Sequence, residues 1–113
     1  MECKKSELQR TSLGCWKDVN HTAISGGVRF VKPLPHLDIV DECQSYAADQ
    51  GWPIFGVQKQ YVPEYEEYCM SAVNAGDTYQ RYGVSQGCQF GKGGVQAQTV
   101  YFISCPGAYR KQF

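Results

Sequence analysis

The spacing of apolar and polar positions changes along this chain, and each change marks an element. Residues 1–11 are polar and charged, with Cys3 as the one anchor, and read as an arm that frays unless a bridge holds it. From Leu13 the pattern becomes alternating. Leu13 and Cys15 fall on one face of an extended segment and Gly14, Trp16 and Asp18 on the other, which predicts a strand over 13–18. Residues 20–28, with Ser25-Gly26-Gly27, read as a turn. Val28-Arg29-Phe30-Val31 reads as a short second strand, ended by Lys32-Pro33-Leu34-Pro35 because proline cannot donate to a ladder.

The period then shifts to that of a helix. Ile39, Val40, Cys43 and Ala47 follow a three-four spacing, Asp38 is a good N-cap, and Asp41 and Glu42 place negative charge in the first turn. Gly51 sits where a left-handed cap belongs and Pro53 blocks continuation, so the helix is predicted over 38–50. Residues 53–61, centred on Ile54-Phe55-Gly56-Val57, read as a central strand. Residues 62–68 are acidic and aromatic and read as an exposed loop, returning through a short extended Tyr68-Cys69-Met70-Ser71. A shorter second helix is predicted over 74–82, with Gly83 as its stop. Residues 83–98, rich in glycine and glutamine, read as a long loop of the kind that often carries function. Val100-Tyr101-Phe102-Ile103 is a clear strand, Cys105-Pro106-Gly107 ends it, and 108–113 read as a loose tail. The expected fold is α+β: one main helix on a curved antiparallel sheet that includes 13–18, 54–60 and 100–104, plus a short second helix.

Composition narrows the class. At 113 residues the chain fits one domain with a core of about 12–105. Lys plus Arg and Asp plus Glu number eleven each, so no electrostatic footprint for nucleic acid is present. No apolar run approaches the ~20 residues of a membrane span. Six cysteines in so short a chain, without Cys-x-x-Cys spacing, predict a disulfide-stapled domain from an oxidising compartment rather than a zinc site. Asn20-His21-Thr22 is an N-glycosylation sequon, and Met1 before Glu2-Cys3 reads as a start placed ahead of a mature secreted sequence.

Catalysis finds little support. His21 lies in the sequon and His36 follows a proline, so both read as ordinary surface residues rather than poised bases. Glu64, Glu66 and Glu67 read as a solvated run, not a calcium loop. The expectation is no enzyme, no cofactor and no metal. Sugar recognition has the better ingredients, an aromatic face beside planar amides and carboxylates. Trp16 and Trp52 read first as core. Tyr61, Tyr65 and Tyr68, clustered in the acidic loop, read as exposed aromatics of an interface, and Gln86, Gln89 and Gln96 on the glycine-rich loop as the other rim. Asp18, Asn20, Gln58, Gln60, Asp77 and Gln98 belong to the same pool of polar candidates. The partner is then an extracellular glycan or glycoprotein, or alternatively a matrix protein bound through the tyrosine-rich loop.

Gly14-Cys15-Trp16-Lys17-Asp18, a helix with one cysteine, and Gly51-Trp52-Pro53-Ile54-Phe55-Gly56-Val57-Gln58 together resemble a cysteine-rich extracellular module of animal proteins, similar in pattern to WSC domains and more distantly to PAN/apple domains. Thr78-Tyr79-Gln80-Arg81-Tyr82-Gly83 and Gly93-Gly94 before Val100-Tyr101-Phe102-Ile103 extend the resemblance across 13–103. Where a WSC domain carries a Cys-Tyr-Cys-Gly-like element after its central strand, this chain has only Cys69, and Cys3 and Cys105 lie outside the shared pattern. The resemblance implies a helix on a curved antiparallel sheet and a secreted, lectin-like or adhesive role without catalysis.

Pairing of the cysteines follows from this arrangement. Cys43 on the inner helix face is expected to meet Cys69 on the strand beneath, Cys3 to meet Cys105 beyond the ends of the shared pattern, and Cys15 to meet Cys88. The rival set exchanges partners, giving Cys15–Cys105 and Cys3–Cys88.

Overall fold

A computed structural model of the chain describes residue 4 and residues 7–24, 28–31, 38–60 and 66–105, with the backbone alone for 28–31 and Gln60. Five strands and two helices follow in the order β1 (Gln9–Lys17), β2 (Val28–Val31), α1 (Ile39–Gln50), β3 (Ile54–Gln60), β4 (Glu66–Ser71), α2 (Ala75–Thr78) and β5 (Ala97–Ser104). The strands form one antiparallel sheet in the spatial order β1-β5-β3-β4-β2, so β3 is central, as the sequence indicates. The fold is α+β.

The sequence sets both ends of α1. The Asp38 carboxylate accepts the Val40 N–H at 2.8 Å. At the other end Gly51 adopts φ 79°, its N–H reaches the Ala48 carbonyl, and the Trp52 N–H reaches Ala47. This is a Schellman closure, which glycine adopts without the penalty a Cβ brings. Ile39, Val40, Cys43 and Ala47 are buried, and they pack on Phe55, Val57, Cys69 and Ile103 of the sheet. The Cys43–Cys69 disulfide closes this helix-on-sheet core across a sequence separation of 26.

The opposite sheet face carries a second core: Ile24, Tyr68, Met70, Ala72, Ala75, Tyr79 and Val100, with Leu13, Trp16 and Ile54 at its margin. The Trp16 indole meets the Tyr79 ring edge-on at 5.2 Å and donates its N–H to the Leu13 carbonyl at 2.8 Å. Leu13 and Trp16 therefore face the same side, contrary to simple alternation. A register shift between Ser12 and Gly14, with Gly14 at φ 101°, adds the extra residue that turns the pattern over.

Four boundaries differ from expectation. The first strand begins at Gln9, not Leu13, because β5 pairs with it along its whole length. Arg10 clamps this end by reaching Asp41 at 2.8 Å and Gln44 at 2.9 Å on α1, with its guanidinium over the Tyr101 ring. Residues 66–68 belong to β4 rather than to an exposed loop, since β3 pairs with β4 out to Gln60 opposite Glu66. The second helix is shorter than 74–82 and gives way to turns at Tyr79, while β5 starts at Ala97, inside the stretch read as loop. The tail over 108–113 and the proline segment over 33–35 lie outside the described residues.

Candidate functional site

The loop between α2 and β5 is fastened at every turn. The outer edge of β1 takes up its first residues, with the Lys17 N–H on the Gly83 carbonyl at 2.8 Å and the Ser85 N–H on the Cys15 carbonyl at 3.0 Å. Cys88 is then bonded to Cys15. The rival Cys3–Cys88 pairing is thereby excluded. Cys105 is also disulfide-bonded, and Cys3, its expected partner, lies outside the described residues.

Beyond Cys88 the chain makes a tight excursion that returns at Gly93. The Gln89 N–H donates to Gly93, the Lys92 N–H to Gln89, the Tyr101 hydroxyl to the Gly91 carbonyl at 2.6 Å, and the Gly93 N–H to the Thr99 hydroxyl at 3.0 Å. Gly93 has φ 73°, and a Cβ there would run into the Val57 carbonyl, so glycine is required for the loop to lie on the sheet. Lys92 extends to Asp38 at 3.6 Å. Burial alone raises the Asp38 carboxyl, but the Val40 N–H and the Lys92 ammonium outweigh it and hold its pKa below the ordinary value. Burial also raises the Tyr101 phenol, against the nearby Arg10 charge.

This anchored excursion presents Phe90. Its side chain is 94% exposed, and its backbone sits at φ 53°. A bulky residue in the left-handed region costs about 1–2 kcal/mol relative to glycine, and here no burial offsets that cost. Gln86 and Gln89 are exposed on the same loop. Gln96 is exposed at the turn before β5, and its amide oxygen accepts the Asn20 N–H at 3.1 Å. The three glutamines expected at a rim are thus exposed, and the loop that carries them also carries an exposed aromatic, Phe90, outside the expected set.

The tyrosines separate differently. Tyr61 and Tyr65 lie outside the described residues. Tyr68 is 9% exposed, packs in the second core, and donates its hydroxyl to Glu66 at 2.7 Å. It is a core residue because β4 turns it onto the sheet face opposite α1, and the acidic residues around it do not keep it in solvent.

That face holds a second polar arrangement. Gln58 lies directly opposite Tyr68 on β4, and Gln98 lies opposite Trp16 on β1. One step beyond the Val57–Thr99 pair, Gln58 and Gln98 share a row, so Trp16, Gln98, Gln58 and Tyr68 cross the sheet side by side. The Asp18–Ile24 segment passes over this row. The Asp18 carboxylate accepts the Ala23 N–H at 3.0 Å through one oxygen, and its other oxygen is 3.7 Å from His21 Nδ1. The His21 ring rests 4.2 Å from the Tyr68 ring, so His21 is a half-buried packing residue, not an ordinary surface one. His36 lies outside the described residues. Asp18, Gln58 and Gln98 are 0%, 1% and 0% exposed, which removes them from any open sugar-binding rim.

Among the described residues no three His, Cys, Asp or Glu side chains come together, and no helix is long and apolar enough to cross a membrane. No protein-family model, curated protein or solved structure matches the chain.

Proposed function

We propose that this domain is a secreted, non-catalytic binding module that recognises extracellular carbohydrate through the 84–96 loop, with Phe90 as its stacking platform. The observation that carries the reading is the Phe90 ring itself, fully presented on a backbone conformation that disfavours it, on a loop tied down by Cys15–Cys88. Strain kept without a packing return is a mark of functional use. Gln86 and Gln89 supply the planar amides that pair with sugar hydroxyls beside an aromatic face. Disulfides in so small a domain are compatible with an extracellular location. The exposed Asn20 of the sequon and the WSC-like Gly14–Asp18 pattern support the same reading.

One observation favours a protein partner instead. Val84 and Val95, on the same loop, are 64% and 56% exposed. With Phe90 they supply the kind of apolar contact that protein interfaces use.

A glycan array probed with the folded protein and with Phe90→Ala tests the first reading. We expect discrete glycan signals from the native chain, reduced at least tenfold by the substitution, with an unchanged melting temperature. Glycan binding that Phe90→Ala leaves intact overturns the assignment of the site. No glycan signal at all, with capture of a matrix protein that Phe90→Ala abolishes, transfers the same surface to the second reading.

A further inference from the structure

The Asn20-His21-Thr22 tripeptide is folded into a tight turn. Asn20 and His21 both adopt left-handed backbone, at φ 52° and 60°, and the Thr22 N–H closes the turn on the Val19 carbonyl at 3.1 Å. The Thr22 hydroxyl donates to that same carbonyl at 2.6 Å and lies 2.6 Å from the Tyr82 hydroxyl. Its single proton and one of its lone pairs are therefore engaged. The His21 ring is packed on Tyr68. Asn20 differs from both neighbours. It is exposed, and among the described residues the hydrogen bond it makes runs through its backbone N–H, taken by Gln96 Oε1 at 3.1 Å. The turn leaves the Asn20 amide in solvent while the hydroxyl two residues on is occupied.

An Asn-x-Thr tripeptide accepts an N-linked sugar because it carries a hydroxyl at its third position, so transfer needs amide and hydroxyl together. The folded turn offers the amide alone. The groups that lock the turn come late in the chain. Tyr82 follows Thr22 by 60 residues, and Gln96 follows Asn20 by 76. Lys17 and Asp18 meet Gly83 and Gln96 in the same way, and Cys15 bonds Cys88 across a separation of 73. At a synthesis rate of about 5–20 residues/s, the tripeptide stays unlocked for roughly 3–12 s before Tyr82 is made. We infer that Asn20 is an N-glycosylation site modified on the nascent chain, before residues 82–96 reach it. In that step Asn20 Nδ2 bonds the anomeric carbon of an oligosaccharide carried on a lipid diphosphate. The bond from that carbon to the diphosphate oxygen breaks, its electrons leave on the diphosphate, and the amide gives up one proton. Nothing is oxidised or reduced. The other asparagine, Asn74, precedes Ala75-Gly76 and forms no sequon, so one sugar per chain is expected. The inference rests on the secretory route proposed above.

Expression in animal cells behind a cleavable secretory leader, with gel mobility and mass read before and after a glycan-removing amidase, tests the site. We expect one amidase-sensitive oligosaccharide on the native chain, lost in Asn20→Gln and in Thr22→Val and kept in Thr22→Ser. Reading the cell lysate beside the medium makes the result independent of whether a variant folds. A native chain that reaches the medium without sugar overturns the site and leaves the secreted reading standing, because the leader supplies the route. The order of events is tested on protein produced without the sugar, incubated with solubilised transferase membranes and lipid-linked oligosaccharide. We expect transfer to the reduced, unfolded chain at least tenfold above transfer to the oxidised, folded one. Equal transfer to both overturns the inference that modification precedes closure of the turn.

Discussion

Replacing Tyr68 by alanine separates a core residue from a binding residue. The ring is buried, meets His21 at 4.2 Å and packs among Ile24, Met70 and Val100. Removing a buried aromatic costs about 3–5 kcal/mol, as lost transfer free energy plus the cavity left behind. For a domain of this size, with an unfolding entropy near 2.1 cal/mol/K per residue, that loss lowers the melting temperature by roughly 13–21 °C. Tyr68→Phe keeps the ring and removes only the hydroxyl bond to Glu66, so it should cost about 1–2 kcal/mol. Urea unfolding followed by tryptophan fluorescence reports on both cores, since Trp16 borders one and Trp52 lies against Tyr46 of α1. Tyr68→Ala below about 1 kcal/mol, the range of a surface change, would refute the placement of this ring in the core.

Two further perturbations probe the other sheet face. Asp38→Ala should cost about 0.5–2 kcal/mol as a lost N-cap. Because the folded Asp38 pKa lies below its unfolded value, its contribution is complete above the unfolded pKa and is lost as pH falls through the folded one. Urea midpoints from pH 6 down to pH 2 should therefore fall less steeply in Asp38→Asn than in the native chain, and equal slopes would contradict the assignment. The double substitution Cys43→Ala and Cys69→Ala, which opens a loop of 26 residues, should cost about 3.5 kcal/mol by chain entropy, checked by the same denaturation.

What the sequence displays clearly is what local chemistry decides. Helix α1 is legible from end to end because its cap, its first-turn acids, its apolar stripe and its terminal glycine all agree. The early part of β1 is not, since Gln9, Arg10, Thr11 and Ser12 are exposed on an edge strand and carry no apolar alternation. Tyr68 was masked by its neighbours. β4 is buried on both faces after Glu66, with Glu67 answered by Lys59 across the strand pair at 3.5 Å, so the acidic run misleads about exposure. The row of Gln58 and Gln98 depends on the β3–β5 register, which joins residues forty positions apart and leaves no local trace. Phe90 did leave one: it is the single aromatic of the 83–96 stretch, set between Gln89 and Gly91.

Phe90 and the Gly56–Gln98 contact are two places where this chain departs from good local design. Phe90 combines a left-handed backbone with near-complete exposure, and neither helps folding. Gly56 and Gln98 combine a weakened central strand with a buried, unpaired amide, and a plain aliphatic residue at 98 would suit the surrounding core better if stability alone mattered. At Gly51, which closes α1, and at Gly93, which lets the 88–94 excursion lie on Val57, local choice and global fold agree. The Phe90 loop is tied to the sheet by the Cys15–Cys88 bond, and the Gly56–Gln98 contact is packed beneath Ile24. A tethered loop lowers the entropy that a ligand must overcome on binding, so a contact at Phe90, as proposed, needs no movement of the sheet.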